Sequence, residues 1–212
     1  MAMTPHKPAQ NCLDKLAAWC FDIQWLSIKA QWEPALIQAL APLAGDCLAI
    51  LRRELAALAS DPATPPDWPA ITTRLASACA QVASTRGNAA KALLLAMTRE
   101  VEEETGRILT LNGLAGAVPA LHGPGQDPRA ALAALAGGPV VDEYVKKGFV
   151  EFGAQVTAQL RRARAGQLSP EALYHACQPA AKRWRWRLTM LARTLAHEVF
   201  NRARRAVCAQ LP

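Results

Sequence analysis

The residues with the clearest chemical potential lie near the end of the chain. Lys182-Arg183-Trp184-Arg185-Trp186-Arg187 alternates cation and aromatic over six residues. Arginines neutralise phosphates, and indoles stack on bases or on guanidinium planes. With Arg193, Arg204 and Arg205 downstream, the run is a candidate site for a nucleic acid or an acidic protein partner. In a helix these side chains fan round the cylinder, so the competing reading is buried indoles flanked by solvated arginines. No helix-turn-helix, zinc-finger or RNA-binding signature accompanies them, so any contact with DNA is expected to be nonspecific.

Other chemistry finds little support. The four histidines (6, 122, 175 and 197) are far apart. His197-Glu198 is followed by Val199-Phe200-Asn201, so the metalloprotease pattern of two histidines four apart fails. His175 and Cys177 lack the further ligands a metal needs. The six cysteines (12, 20, 47, 79, 177 and 208) contain no CxxC pair and read as buried, reduced thiols. Glu100, Glu102, Glu103 and Glu104 face no visible acid, base or metal ligand and read as a solvated helix face. The glycines form neither GxGxxG nor a phosphate loop. No catalytic residue, metal site or cofactor is assigned, and the expectation is a non-enzymatic protein.

The elements that position these residues follow from composition. The chain has 212 residues, 51% of them hydrophobic and 19% charged, enough for a substantial core. Two Tyr and four Phe against a dominance of Ala and Leu favour helix over sheet. The expected fold is all-α, an irregular multi-helix bundle with a long basic C-terminal helix. Charge is uneven: the net +7 divides into −2 over residues 1–154 and +9 over 155–212. A near-neutral body with a basic end suits a polyanionic or acidic partner.

Periodicity predicts a first helix over 11–31, with Leu13, Leu16, Cys20 and Ile23 on one stripe and Trp19, Phe21, Trp25 and Ile28 around the rest. Pro34 fits the start of a second helix to about Ser60, broken or kinked at Pro42. Asp61 to Pro69 reads as a stiff connector. A helical pattern over 70–111 offers an interruption at Gly87-Asn88. A glycine- and proline-rich segment over 111–128 and a short helix over 129–136 follow. Helices are then expected over 141–165, from Ser169-Pro170-Glu171, and over 179–208. The organisation reads as a Trp-rich helical body (1–110), a hinge (111–140) and a basic helical region (141–212).

In the last helix Trp184, Leu188, Leu191, Leu195 and Val199 form an apolar stripe that should dock on the body. Trp186, Met190, His197 and Phe200 form a second stripe among cations. Trp19, Trp25, Trp186, Met190 and Phe200 are therefore the candidate partner interface. Met1 to Asp14 has no apolar core behind a basic start, so no secretory leader is expected. No run reads as a transmembrane helix.

Residues 145–206 resemble the helical first half of the Mu F-type phage head-morphogenesis (minor head protein) family. The resemblance rests on Gly166-Gln167-Leu168-Ser169-Pro170-Glu171-Ala172-Leu173, on Leu191-Ala192-Arg193-Thr194, and on Asn201-Arg202-Ala203-Arg204. Leu195 stands where that family usually has Glu, and the chain ends where members usually continue. The resemblance implies a head-assembly protein touching a portal or other capsid protein and DNA, and carries over no catalytic residue. A virion location follows from the resemblance; composition points to an intracellular protein, hence to the bacterial cytoplasm as the other location, with no membrane partner expected and a homo-oligomer left open. The alternative is a cytosolic helical adaptor that binds a protein through its Trp-rich faces.

Overall fold

The computed structural model describes residues 7–60, 67–111 and 139–208, with side chains over 22–57, 67–101, 103–104, 106–107 and 141–201. Five helices account for nearly all of these residues, and no strand occurs among them: α1 (Lys7–Leu40), α2 (Leu43–Ser60), α3 (Trp68–Leu111), α4 (Pro139–Arg164) and α5 (Pro170–Cys208).

Cross-helix pairs reveal the topology. Glu54 meets Arg74 at 3.1 Å, Asp46 meets Arg86 at 2.9 Å, and Trp32 Nε1 donates to Glu100 at 2.7 Å. As the first number falls the second rises, so α1 and α2 together run antiparallel to α3. Arg52 over the Tyr174 ring, Arg193 on Glu33 and Phe200 against Trp25 set the same relation to α5. Lys91 pairs with Asp142 at 2.5 Å, and Arg187 pairs with Glu151. The α1–α2 rod, α3, α4 and α5 thus form an up-down-up-down four-rod bundle. The long helices α3 and α5 also touch across its middle.

One hydrophobic cluster unites all five helices. From α4 it takes Val141, Val145, Phe152, Val156 and Leu160, and from α5 Leu173, Cys177, Trp184, Leu188, Leu191, Leu195 and Val199. The α5 stripe read from the sequence is therefore core. Described residues from Trp25 to Val101 and from Val141 to Val199 contribute to this one cluster.

Three proline and glycine positions depart from expectation. Pro34 and Pro179 lie inside α1 and α5 instead of starting new helices. Both prolines are solvent-exposed, so water can reach the carbonyl each leaves unbonded, while buried Leu36 and Trp184 hold the opposite side in place. The helix also continues through Gly87-Asn88, because Ala83, Ala90, Leu94 and Met97 keep one covered stripe on either side of it. Pro42 does end α1: Ala41 N–H still bonds Ile37, and the Pro42 carbonyl accepts the first bond of α2 from Asp46. The helix expected over 129–136 lies outside the described residues.

The remaining ends follow local rules. Asp67 caps α3, its Oδ1 accepting from Ala70 N–H at 3.1 Å. The end of α4 is a Schellman turn, with Gly166 at φ +72° and bonds from Gly166 to Ala163 and from Gln167 to Arg162. Ser169 Oγ then accepts from Ala172 N–H at 3.2 Å to start α5. The reversal that brings α5 against α4 is written in Gly166-Gln167-Leu168-Ser169-Pro170.

Among the described side chains of the first helix, Trp25, Ile28, Leu36, Ala39 and Leu40 are buried, whereas Ile23, the one described member of the expected stripe, is half-exposed. Leu13, Leu16 and Cys20 lie outside the described side chains. Asp22–Ala57 is the one stretch among the described residues long and apolar enough to cross a membrane, contrary to the sequence expectation. Its Trp25, Leu36, Leu40, Leu43, Cys47 and Leu51 are core residues of the bundle.

Candidate polyanion interface

The rotation of α5 is fixed by Trp184. Its indole is buried, stacked on Phe152 at 5.6 Å and edge-on to Phe149 at 6.4 Å. It occupies a slot opened by Gly148, where a Cβ would lie 2.0 Å from Trp184 Nε1. At about 100° per residue, Trp186 must then point almost directly away from the core. Its indole is 64% exposed.

The neighbouring cations take their places around that indole. In order across the outward arc of α5 lie Arg185, Lys182, Trp186, Arg183 and Arg187, spread over roughly 200°. All five are exposed. The alternating run does fan round the helix as expected, but burial of Trp184 leaves the other five on the solvent side. No ion pair engages Lys182, Arg183 or Arg185 among the described residues. Arg187 pairs with Glu151 of α4, and Arg193 reaches Glu33 Oε1 of α1 at 3.2 Å. Those two are partly neutralised and help set the bundle register. Arg204 and Arg205 lie outside the described side chains.

The candidate partner interface divides. Trp186 and Met190 are exposed on α5, with exposed His197 further along. Trp25, expected on a partner face, is instead wholly buried. Phe200 is also drawn inward, half-buried with its ring 5.8 Å from Trp25 in an edge contact. These two aromatics join α1 to α5 within the chain, because their apolar area is larger than a solvated surface readily tolerates. Trp19 lies outside the described side chains.

Sequence reasoning missed the contribution of α4. Tyr144, Lys147, Gly148 and Glu151 form one wall of a groove of about 280 Å³, with Trp184, Arg187 and Leu188 on the other. Tyr144 and Lys147 are exposed, and extend the aromatic-and-cation surface sideways from α5. The three- and four-residue spacing of Tyr144, Lys147 and Glu151 is a helix-face signal, but only the packing of α4 on α5 ties it to Arg187.

Two other features hold polar groups that could do chemistry. A cavity of about 500 Å³ between α2 and α5 is lined by Arg52, Leu55, Glu171, Tyr174, His175 and Gln178. Its one pair of catalytic type, His175 and Glu171, is 3.8 Å apart and largely in water. Among the described residues, no three His, Cys, Asp or Glu side chains gather to hold a metal. Glu100 and Glu104 are engaged by Trp32 and Arg107. Comparison with protein-family models, curated proteins and solved structures gives no match for this chain.

Proposed function

We propose that the protein is a non-enzymatic binding protein that holds a polyanion, the DNA backbone without regard to sequence, on the outward face of α5. The observation that carries this reading is the cluster of Lys182, Arg183 and Arg185 around exposed Trp186, on a helix with no acidic residue between Glu171 and Glu198. From Lys182 to Arg193 the face spans about 16 Å of helix axis. Duplex DNA offers one negative charge per about 1.7 Å, so that length meets several phosphates at once. The exposed indole adds a stacking surface for an unpaired base or a flat apolar contact. Joined to the resemblance of residues 145–206 to phage minor head proteins, the face suits a head-assembly role in which DNA and a portal or other capsid protein are the partners.

A second reading draws on the apolar centre of the same face. Trp186 and Met190 side by side suit a protein surface that is acidic at its rim and apolar in its middle, as an adaptor would need.

Anisotropy of a labelled random-sequence duplex separates the two. Three phosphate contacts should give a log–log salt slope near −2.7, so raising salt from 50 to 200 mM should weaken binding by about 40-fold. Replacing Lys182, Arg183 and Arg185 by Gln should abolish most of that dependence. Duplex affinity and salt slope unchanged in this triple variant would refute the DNA reading. Binding to an acidic Trp-accepting peptide, with no duplex binding, would move the assignment to the adaptor.

A further inference from the structure

The polyanion face makes no use of a second chemical feature, a pair of thiols inside the bundle. Cys47 on α2 and Cys79 on α3 are both buried and free. Ala44 and Ala83 lie close by on the same buried stripes, and small side chains there let the two helices approach closely. The Cys79 S–H donates to the carbonyl oxygen of Cys47 at 4.0 Å, which sets its sulfur beside Cys47, and a side-chain hydrogen bond links the two thiols. Their mutual hydrogen bond holds the Cys79 thiol below its ordinary value, and the same contact, with burial, raises Cys47. Cys79 is therefore the sulfur that ionises first. Cys79 also lines a narrow apolar groove of about 120 Å³ between α3 and α4, with Leu75, Phe149, Phe152 and Val156. A small uncharged molecule can reach it there. Cys177 offers the contrast: burial alone pushes its thiol up to about 11.

We propose that Cys47 and Cys79 are a redox-active dithiol, which hydrogen peroxide converts into a disulfide joining α2 to α3. The Cys79 thiolate attacks one oxygen of the peroxide. An S–O bond forms, the O–O bond breaks, and the departing hydroxide takes up the proton that the thiol had released, leaving water and a sulfenic acid. The Cys47 sulfur then attacks the Cys79 sulfur. The S–O bond breaks, and hydroxide leaves with the Cys47 proton as a second water. Two thiols lose two electrons in all, and one peroxide becomes two waters.

Peptide mapping of the full chain tests this directly, because each of the six cysteines falls in its own tryptic peptide. The native protein is exposed to hydrogen peroxide, unfolded, alkylated and digested without reductant. Peptides 30–52 and 75–86 should appear joined, lighter by two hydrogens than their sum, and should separate on adding dithiothreitol. Cys177 should be recovered as an alkylated thiol. In a Cys47→Ala variant, shown by circular dichroism to remain helical, Cys79 should instead react with dimedone as a sulfenic acid. Two outcomes would overturn the proposal: Cys47 and Cys79 both recovered as separate alkylated thiols, or Cys79 driven to sulfinic acid beside an intact Cys47 thiol.

Discussion

Replacing Gly148 by Ala sets two opposing effects against each other, and the structure decides which wins. In a helix interior, Gly→Ala normally gains up to about 1 kcal/mol from backbone entropy and propensity. At Gly148 the added Cβ would lie 2.0 Å from Nε1, 2.3 Å from Cδ1 and 2.9 Å from Cε2 of Trp184. Carbon contacts are comfortable only from about 3.5 Å, so the ring would have to retreat by roughly 1.5 Å. It has little room, being stacked on Phe152 and set edge-on to Phe149. If α4 shifts, overpacking costs about 1–3 kcal/mol. If the indole leaves its slot, the loss of 150–250 Å² of burial costs about 4–6 kcal/mol. Subtracting the propensity gain leaves about 2 kcal/mol at the severe end of overpacking and about 3–5 kcal/mol if the indole leaves; the cheaper route wins, so Gly148→Ala should destabilise by about 2 kcal/mol and lower Tm by roughly 4–8 °C for a chain of this size. Gly153 on the same helix is the control, since a Cβ there would meet nothing within 4 Å. Gly153→Ala should raise Tm by about 2–4 °C. Thermal and urea unfolding followed by circular dichroism measure both. A Gly148→Ala protein as stable as the parent would show that Trp184 does not sit against α4 in this way.

Leu191 is buried on the central stripe of α5, so Leu191→Ala should cost about 2–4 kcal/mol; a midpoint within a degree of the parent would mean the stripe is not core. Gly166 stands at φ +72° in the turn between α4 and α5, so Gly166→Ala should cost about 1–2 kcal/mol in urea unfolding, although nothing lies within 4 Å of its Cβ position. The Cys177 thiol is raised from 9.0 to about 11 by burial, so the folded state holds this proton more tightly than the unfolded chain does. Its contribution is complete below pH 9 and is lost as pH rises toward 11. A Cys177→Ala protein should begin less stable but lose less between pH 8.5 and 10.5, and parallel pH profiles for the two proteins would disprove the link.

The helical class was legible because Ala- and Leu-rich periodicity with few β-formers leaves little alternative. The α5 stripe was legible too, since Trp184, Leu188, Leu191, Leu195 and Val199 keep helical spacing over four turns. Helix boundaries at Pro34 and Pro179 were not. A proline states that one backbone bond is missing, but not whether its carbonyl partner faces water, which depends on how the bundle lies. The fates of Trp25 and Phe200 were hidden for a related reason. Each looks like surplus apolar area on its own helix, and only the antiparallel pairing of α1 with α5 brings their rings together. The cation run itself was visible, but its division into free and paired members was not. Glu151 and Glu33, which engage Arg187 and Arg193, lie 36 and 160 residues away in the chain.

The tightest constraint on the candidate site is set in the core. Trp184 and Trp186 are two residues apart, hence about 200° apart on α5. They cannot both be buried against one neighbour, and the stripe that Trp184 shares with Leu188, Leu191, Leu195 and Val199 turns it inward. Gly148 makes the room that this choice needs, because a Cβ there would collide with the indole edge. With Trp184 seated, Lys182, Arg183 and Arg185 are turned to solvent around Trp186. Rotating α5 by one residue would bury one of these cations at a cost of several kcal/mol. The packing of α4 and the composition of the outward face are therefore a single arrangement. A change at Gly148 should weaken polyanion binding as well as stability, although Gly148 carries no charge.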